Sequence, residues 1–181
     1  VRAHMRAKET GLHLIVGSRF RLEDGLQIIV LACNLNGYGN LSETITLARR
    51  RSPKGSYRLS LADLTEPSPP FTHLRGLPDC LVIFKPEPGM ACAALEKGLE
   101  ALAAGFAPRL WLGVALHHGP GDARLLAAAR HAGARLGIPL VALGGVEMHR
   151  RSRQPLHDTL TAIRHGRPLD QVIEHLRPNA E

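Results

Sequence analysis

Short unbroken apolar runs alternate along the chain with longer amphipathic stretches. The runs at 13–17, 27–33, 80–84, 110–116 and 139–143 are of strand length and rich in Ile, Val and Leu, the pattern of strands buried on both faces. Between them, apolar residues recur at helical spacing. This predicts helices over 2–10, 40–51, 90–104, 122–136 and 156–166, and a last short one over 168–176. Leu41, Ile45 and Ala48 share a face of the second helix, and Gly11 ends the first as a C-cap. Asp24-Gly25, inside the extended stretch 20–33, predicts a hairpin turn. Residues 34–39, the basic cluster 49–58 and the proline-rich 66–78 read as loops, the last an exposed one.

Strands alternating with helices predict βα units: an α/β fold with a parallel sheet covered on both sides. Functional side chains of such folds collect at the C-terminal ends of strands. Here those ends carry Gly17-Ser18-Arg19, Asn34, Lys85-Pro86-Glu87, His117-His118-Gly119 and Gly144-Gly145-Val146-Glu147.

Composition fits this picture. The 181 residues suffice for one domain, and the 44% hydrophobic content is aliphatic, with only 4% aromatics. The formal net charge of +7 favours anionic partners such as nucleic acid; a generally arginine-rich surface is the alternative. Arg49, Arg50, Arg51 and Lys54 are candidate phosphate contacts, and Arg150, Arg151 and Arg153 form a second basic run. The three cysteines form no CxxC pair, which argues against a zinc ribbon or redox motif. Cys33 and Cys80, inside apolar runs, are expected to pack as small hydrophobes. There is no apolar run of membrane-spanning length and no signal-peptide core, so the chain is expected in the cytoplasm. Val1 in place of Met, ahead of a helix already under way, reads as a start inside a longer chain.

The ten histidines raise metal chemistry. His117, Glu147 and His149 lie just past strand ends and could converge on an ion. His117-His118 before Gly-Pro-Gly equally reads as a solvated loop, and Glu147 and His149 as caps of the next turn. His4, His73, His131, His157, His165 and His175 are read as surface residues. The chain has no P-loop, no GxGxxG after a strand and no GxSxG elbow.

Four ordered segments carry a family resemblance: VRAHMRAKETGLHLIVGSRF (1–20), LEDGLQIIVLACNLNGYGNLSETITLARRRSPKGSYRLSLADL (22–64), WLGVALHHGPGD (111–122) and GGVEMHRRSRQPLHDTLTAIRHG (144–166). Together the chain resembles the PHP domain of bacterial DNA polymerase III alpha subunits, above all the error-prone branch. The resemblance implies a distorted (β/α)₇ barrel. It also implies that the family's opening strands, with an HxH motif and a Thr-Asp pair, precede the helix with which this chain begins. Residues 1–166 would then be a truncated PHP domain. Residues 167–181 would run out toward a polymerase core that this chain lacks, together with the carboxylates that hold magnesium for nucleotidyl transfer.

The same resemblance marks eroded metal positions. Arg19 stands where the family has an acidic residue, and a cation there repels a metal. Gln27 stands where some relatives have histidine. Gly145 and Glu147 replace the Asp and the first His of a Gly-Asp-Val-His-Met-His motif, while His149 matches it. Ala115 replaces a common acidic residue, and His117 matches. A lone Glu147 does not hold a catalytic ion without partners. The implied role is structural: a scaffold within a damage-induced, translesion DNA polymerase, contacting the remainder of the polymerase and accessory mutagenesis proteins, with DNA touched indirectly. No cofactor is expected in this chain, which is expected to be inactive alone. Two other readings stay open. One is a stand-alone PHP-type phosphoesterase using manganese or zinc at His117, Glu147 and His149; the other is a basic nucleic-acid-binding module.

Overall fold

The computed structural model describes residues 2–87 and 89–176. Helix α1 (Arg2–Thr10) leads into strands β1 (Gly17–Arg21) and β2 (Gln27–Ala32). Helix α2 (Leu35–Arg50) and the short α3 (Ala62–Thr65) follow, then β3 (Cys80–Phe84), α4 (Cys92–Phe106), β4 (Leu110–Val114), α5 (Asp122–Leu136), β5 (Leu140–Ala142) and α6 (Gln154–His165). The sheet order is β1-β2-β3-β4-β5. No helix among the described residues is long and apolar enough to cross a membrane.

The sheet is mixed, where a parallel one is predicted: β1, β2 and β3 pair antiparallel, and β3, β4 and β5 parallel. The connections decide this. The hairpin turns at Asp24-Gly25, where Gly25 has φ 89° and the Leu26 N–H donates to Asp24 Oδ1 at 3.1 Å. After β2, helix α2 carries the chain away and residues 51–79 bring it back to the end where β2 stopped. The Cys33 N–H bonds the Asp79 carbonyl at 2.9 Å, and Cys80 pairs with Ala32. One crossing plus one return makes β3 antiparallel to β2. The single helical crossings α4 and α5 make the later pairs parallel.

Only one face of the sheet is fully covered. Ile28, Val30, Val82, Phe84, Leu110 and Leu112 point to that face and are sealed under α2, α4 and α5. On the opposite face Ile29, Leu31, Leu81, Trp111 and Val141 are half-buried. The single apolar runs of the sequence mark both faces as apolar but do not say that both are sealed.

Local expectations are corrected in five places. Residues 13–16 are not a strand: Val16 accepts one bond from the Ala32 N–H, and Leu14, Ile15 and Val16 are exposed. Residues 35–39 are helix rather than loop, because the Asn34 side chain accepts the Gly37 N–H at 2.9 Å and starts α2 five residues earlier than the apolar spacing suggests. The proline-rich segment is not simply exposed: it buries Leu74 and Leu77 and forms a 3-10 turn at Thr72–Leu74. Residues 168–176 form two 3-10 turns, Leu169–Gln171 and Ile173–His175, not a helix. Cys33 is exposed, since it lies just past the last paired residue of β2; Cys80 is buried as expected. Residues 177–181 of the expected run-out lie outside the described residues.

Candidate functional site

Because β3, β4 and β5 are parallel, the segments leaving them share one edge of the sheet. The antiparallel β2 starts at that edge, with Gln27 one residue before the Ile28–Phe84 pair, and β1 ends there at Arg21. Glu87, Gln27, His117, Gly145 and Glu147 are therefore drawn toward a common rim. Asn34 is at the opposite edge, since β2 runs against its neighbours. Arg19 is inside β1, paired with Ile29 and exposed.

At one end of the rim, Glu87 serves as an acceptor. Gln27 Nε2 donates to Glu87 Oε1 at 2.7 Å, and the Arg21 guanidinium donates to the same oxygen. Gln27 and Arg21 thus occupy the carboxylate, which makes the Gln27 position a hydrogen-bond donor site.

At the other end, Gly145 adopts φ 61°, a left-handed conformation that favours glycine. A Cβ there would lie 3.8 Å from His117 Cε1, so the half-buried imidazole lies close beside the Gly145 backbone. Glu147 is reached from α6: Glu147 Oε2 is 4.0 Å from His157 Nε2. His157 Nδ1 in turn stands 3.7 Å from Asp158 Oδ1; both atoms are buried, and neither has a hydrogen-bond partner among the described residues. His149 is exposed. Among the described residues, no group of three or more His, Cys, Asp and Glu side chains is arranged to hold a metal ion. Gly145 has no side-chain donor, Arg19 is exposed, Arg21 is paired with Glu87, and Glu147 Oε2 stands 4.0 Å from the His157 imidazole.

His157, expected at the surface, is instead largely covered beside the rim, with its side chain 22% exposed. One signal marks it. On α6 the polar His157, Asp158 and Thr161 fall on one side and Leu156, Leu160 and Ile163 on the other. The polar side is the one turned inward: Thr161 is buried, while Leu156, Leu160 and Ile163 are exposed.

The first basic run splits. Arg49 and Arg50, in the last turn of α2, and Lys54 are exposed and available to an anion. Arg51 is committed within the fold: its guanidinium donates at 2.9 Å to both oxygens of Asp63. Burial pushes the Asp63 carboxyl up, but hydrogen bonds from the Ser60 N–H and Arg51 outweigh it and hold the group below its ordinary value. An apolar groove of about 840 Å³ lies away from both clusters, between α1, residues 13–16 and the half-covered sheet face, and includes His4, Val16, Leu31 and Tyr38.

Over 186 residues the chain is 49% identical to the error-prone DNA polymerase of Bordetella parapertussis, a match that covers all of this chain and 18% of the relative. It is 46% identical over 181 residues to the error-prone DNA polymerase of Dechloromonas aromatica, covering 100% of this chain and 17% of the relative. To that of Pseudomonas fluorescens it is 42% identical over 181 residues, again along the whole chain and 16% of the relative. The chain thus spans less than a fifth of the length of the curated relatives it matches. No family model matches it.

Proposed function

We propose that this chain is the PHP-domain region of an error-prone DNA polymerase of the alpha-subunit type, and that it serves as scaffold rather than as a hydrolase. The observation that carries this reading is the whole-chain identity to proteins named error-prone DNA polymerase, 49% and 46% in two genera. A five-stranded α/β sheet with one half-covered face is consistent with part of a distorted PHP barrel. Translesion nucleotidyl transfer, with its magnesium, belongs in this proposal to parts of the relatives outside the matched span. The location is cytoplasmic, and the partners are the remainder of the polymerase and accessory mutagenesis proteins, with DNA held by the assembly.

The scaffold role is supported by what the rim residues do. Gln27 and Arg21 bond Glu87, Gly145 accommodates the bend beside His117, and Glu147 reaches toward His157. These contacts hold loops together where a hydrolase needs ligands with open coordination positions. The residues present do not fit a manganese or zinc pair, and no step is assigned to one.

Metal content separates this reading from a stand-alone phosphoesterase. After dialysis against trace manganese and zinc, mass spectrometry is expected to find near-zero metal per chain. About one ion or more per chain, lost on Glu147→Ala, would put the hydrolase reading first.

A further inference from the structure

Helix α6 is turned inside out. Thr161 is buried and His157 and Asp158 are largely covered, while Leu156, Leu160 and Ile163 are 51%, 53% and 69% exposed. The three apolar residues, four and three apart, form one stripe on the side of the helix opposite Thr161. Aqueous exposure of such a stripe is unfavourable by about 25 cal/mol per Å² of apolar surface. Helix α6 packs chiefly on its own flanking turns, Arg151–Arg153 and Leu169–Gln171, and from the rim only Glu147 approaches its polar side, at 4.0 Å from His157 Nε2.

The stripe also has a charged flank. Arg153 and Arg164 fall on the same side of it at helical spacing, and both are exposed. The only carboxylate of the helix, Asp158, is on the covered side. An antiparallel second copy would set Arg153 against Arg164 and repel. Nucleic acid would match the arginines but offers its phosphates, not an apolar surface, to the leucines. A stripe of leucines beside arginines fits a helix with its own apolar stripe and an acidic flank.

We infer that the outer face of α6, centred on Leu156, Leu160 and Ile163 and flanked by Arg153 and Arg164, is a docking surface for an acidic amphipathic helix elsewhere in the polymerase. This rests on the proposed function, in which this region is joined to a polymerase core.

The test uses the full-length Bordetella parapertussis polymerase with its matching segment replaced by this chain. Hydroxyl-radical footprinting reads the side-chain exposure of Leu156, Leu160 and Ile163 in the chimera and in the isolated chain, the latter diluted until it sediments as a monomer. Oxidation is expected to fall about tenfold in the chimera, the factor that ~1.4 kcal/mol of docking would maintain. The double reversal Arg153→Glu with Arg164→Glu is expected to abolish that protection, and the double lysine variant to keep it. An active chimera in which the stripe oxidises as fast as in the isolated chain would overturn the docking surface and leave the functional reading intact. A chimera with a protected stripe that extends no primer would sink the functional reading and keep the surface. Protection that appears only after DNA is added would assign the face to nucleic acid and overturn the inference.

Discussion

Arg109 ties the chain's long return into place. Its guanidinium donates to the carbonyls of Leu77, Cys80 and Gly76 at 2.6, 2.8 and 2.7 Å. Those carbonyls belong to the last turn of residues 51–79 and the first residue of β3, where the antiparallel sheet is decided. Arg109→Met is expected to cost about 3 kcal/mol, because it removes three charge-assisted bonds and leaves carbonyls without their donor. Arg109→Lys should not restore it, since an ammonium lacks the planar fork. Urea unfolding of the isolated chain checks both variants. Cys80 gives a pH dependence at the same place: burial pushes its thiol up to about 11, from an ordinary value of 9.0. Its folded state therefore holds the proton more tightly than the unfolded state. The stabilising contribution is fully present below pH 9 and is lost as the pH rises toward 11. Wild type is expected to lose stability over that interval relative to Cys80→Ala, measured by denaturant midpoint at stepped pH.

Among the elements, α2 shows how a capping residue overrides composition. Gly37 and Gly39 weaken the helical reading of 35–39, yet Asn34 caps that turn, and Gly37 is needed there. A Cβ at Gly37 would meet the Asp79 carbonyl oxygen at 2.0 Å, so the close passage of α2 beneath the start of β3 requires a residue without one. Asn34→Ala is expected to cost about 1 kcal/mol and to expose the first-turn amides of α2 to hydrogen exchange. The exchange readout matters because a general destabilisation would not single out that turn. By contrast, α5 runs from Asp122 to Leu136 as its apolar spacing predicts, with Gly137 at φ 67° and the Ile138 N–H closing on the Gly133 carbonyl. No tertiary contact had to alter it.

The molecule as a whole exposes 11662 Å². A compact monomer of 19.6 kDa exposes about 8,600 Å². The excess, roughly 3,000 Å² on one chain, is more than the ~800 Å² that one partner contributes to a standard protein–protein interface. The half-buried sheet face, the apolar groove beside α1 and the stripe on α6 all contribute to it. The isolated chain is expected to self-associate, and more strongly with added salt, which screens the repulsion of a chain with net charge +7. Sedimentation velocity at two ionic strengths checks this. A single monomeric boundary at both, with one sharp unfolding transition, would contradict it.

The alternation of strands and helices from β3 to α6, the hairpin at Asp24-Gly25 and the extent of α5 were legible in the chain, because each depends on residues within a turn or two of one another. At Arg19 and Gly145 the residue types alone say that a guanidinium and a hydrogen atom donate no electron pair to a metal, wherever the fold puts them. Direction and facing were not legible. The antiparallel start of the sheet depends on how residues 51–79 return to Asp79 and on Arg109 holding them there, contacts between residues far apart in sequence. Periodicity reveals that α6 has an apolar side and a polar one but not which is inside. That was decided by tertiary packing, in which α6 rests on its flanking turns with Thr161 buried and Leu156, Leu160 and Ile163 facing outward.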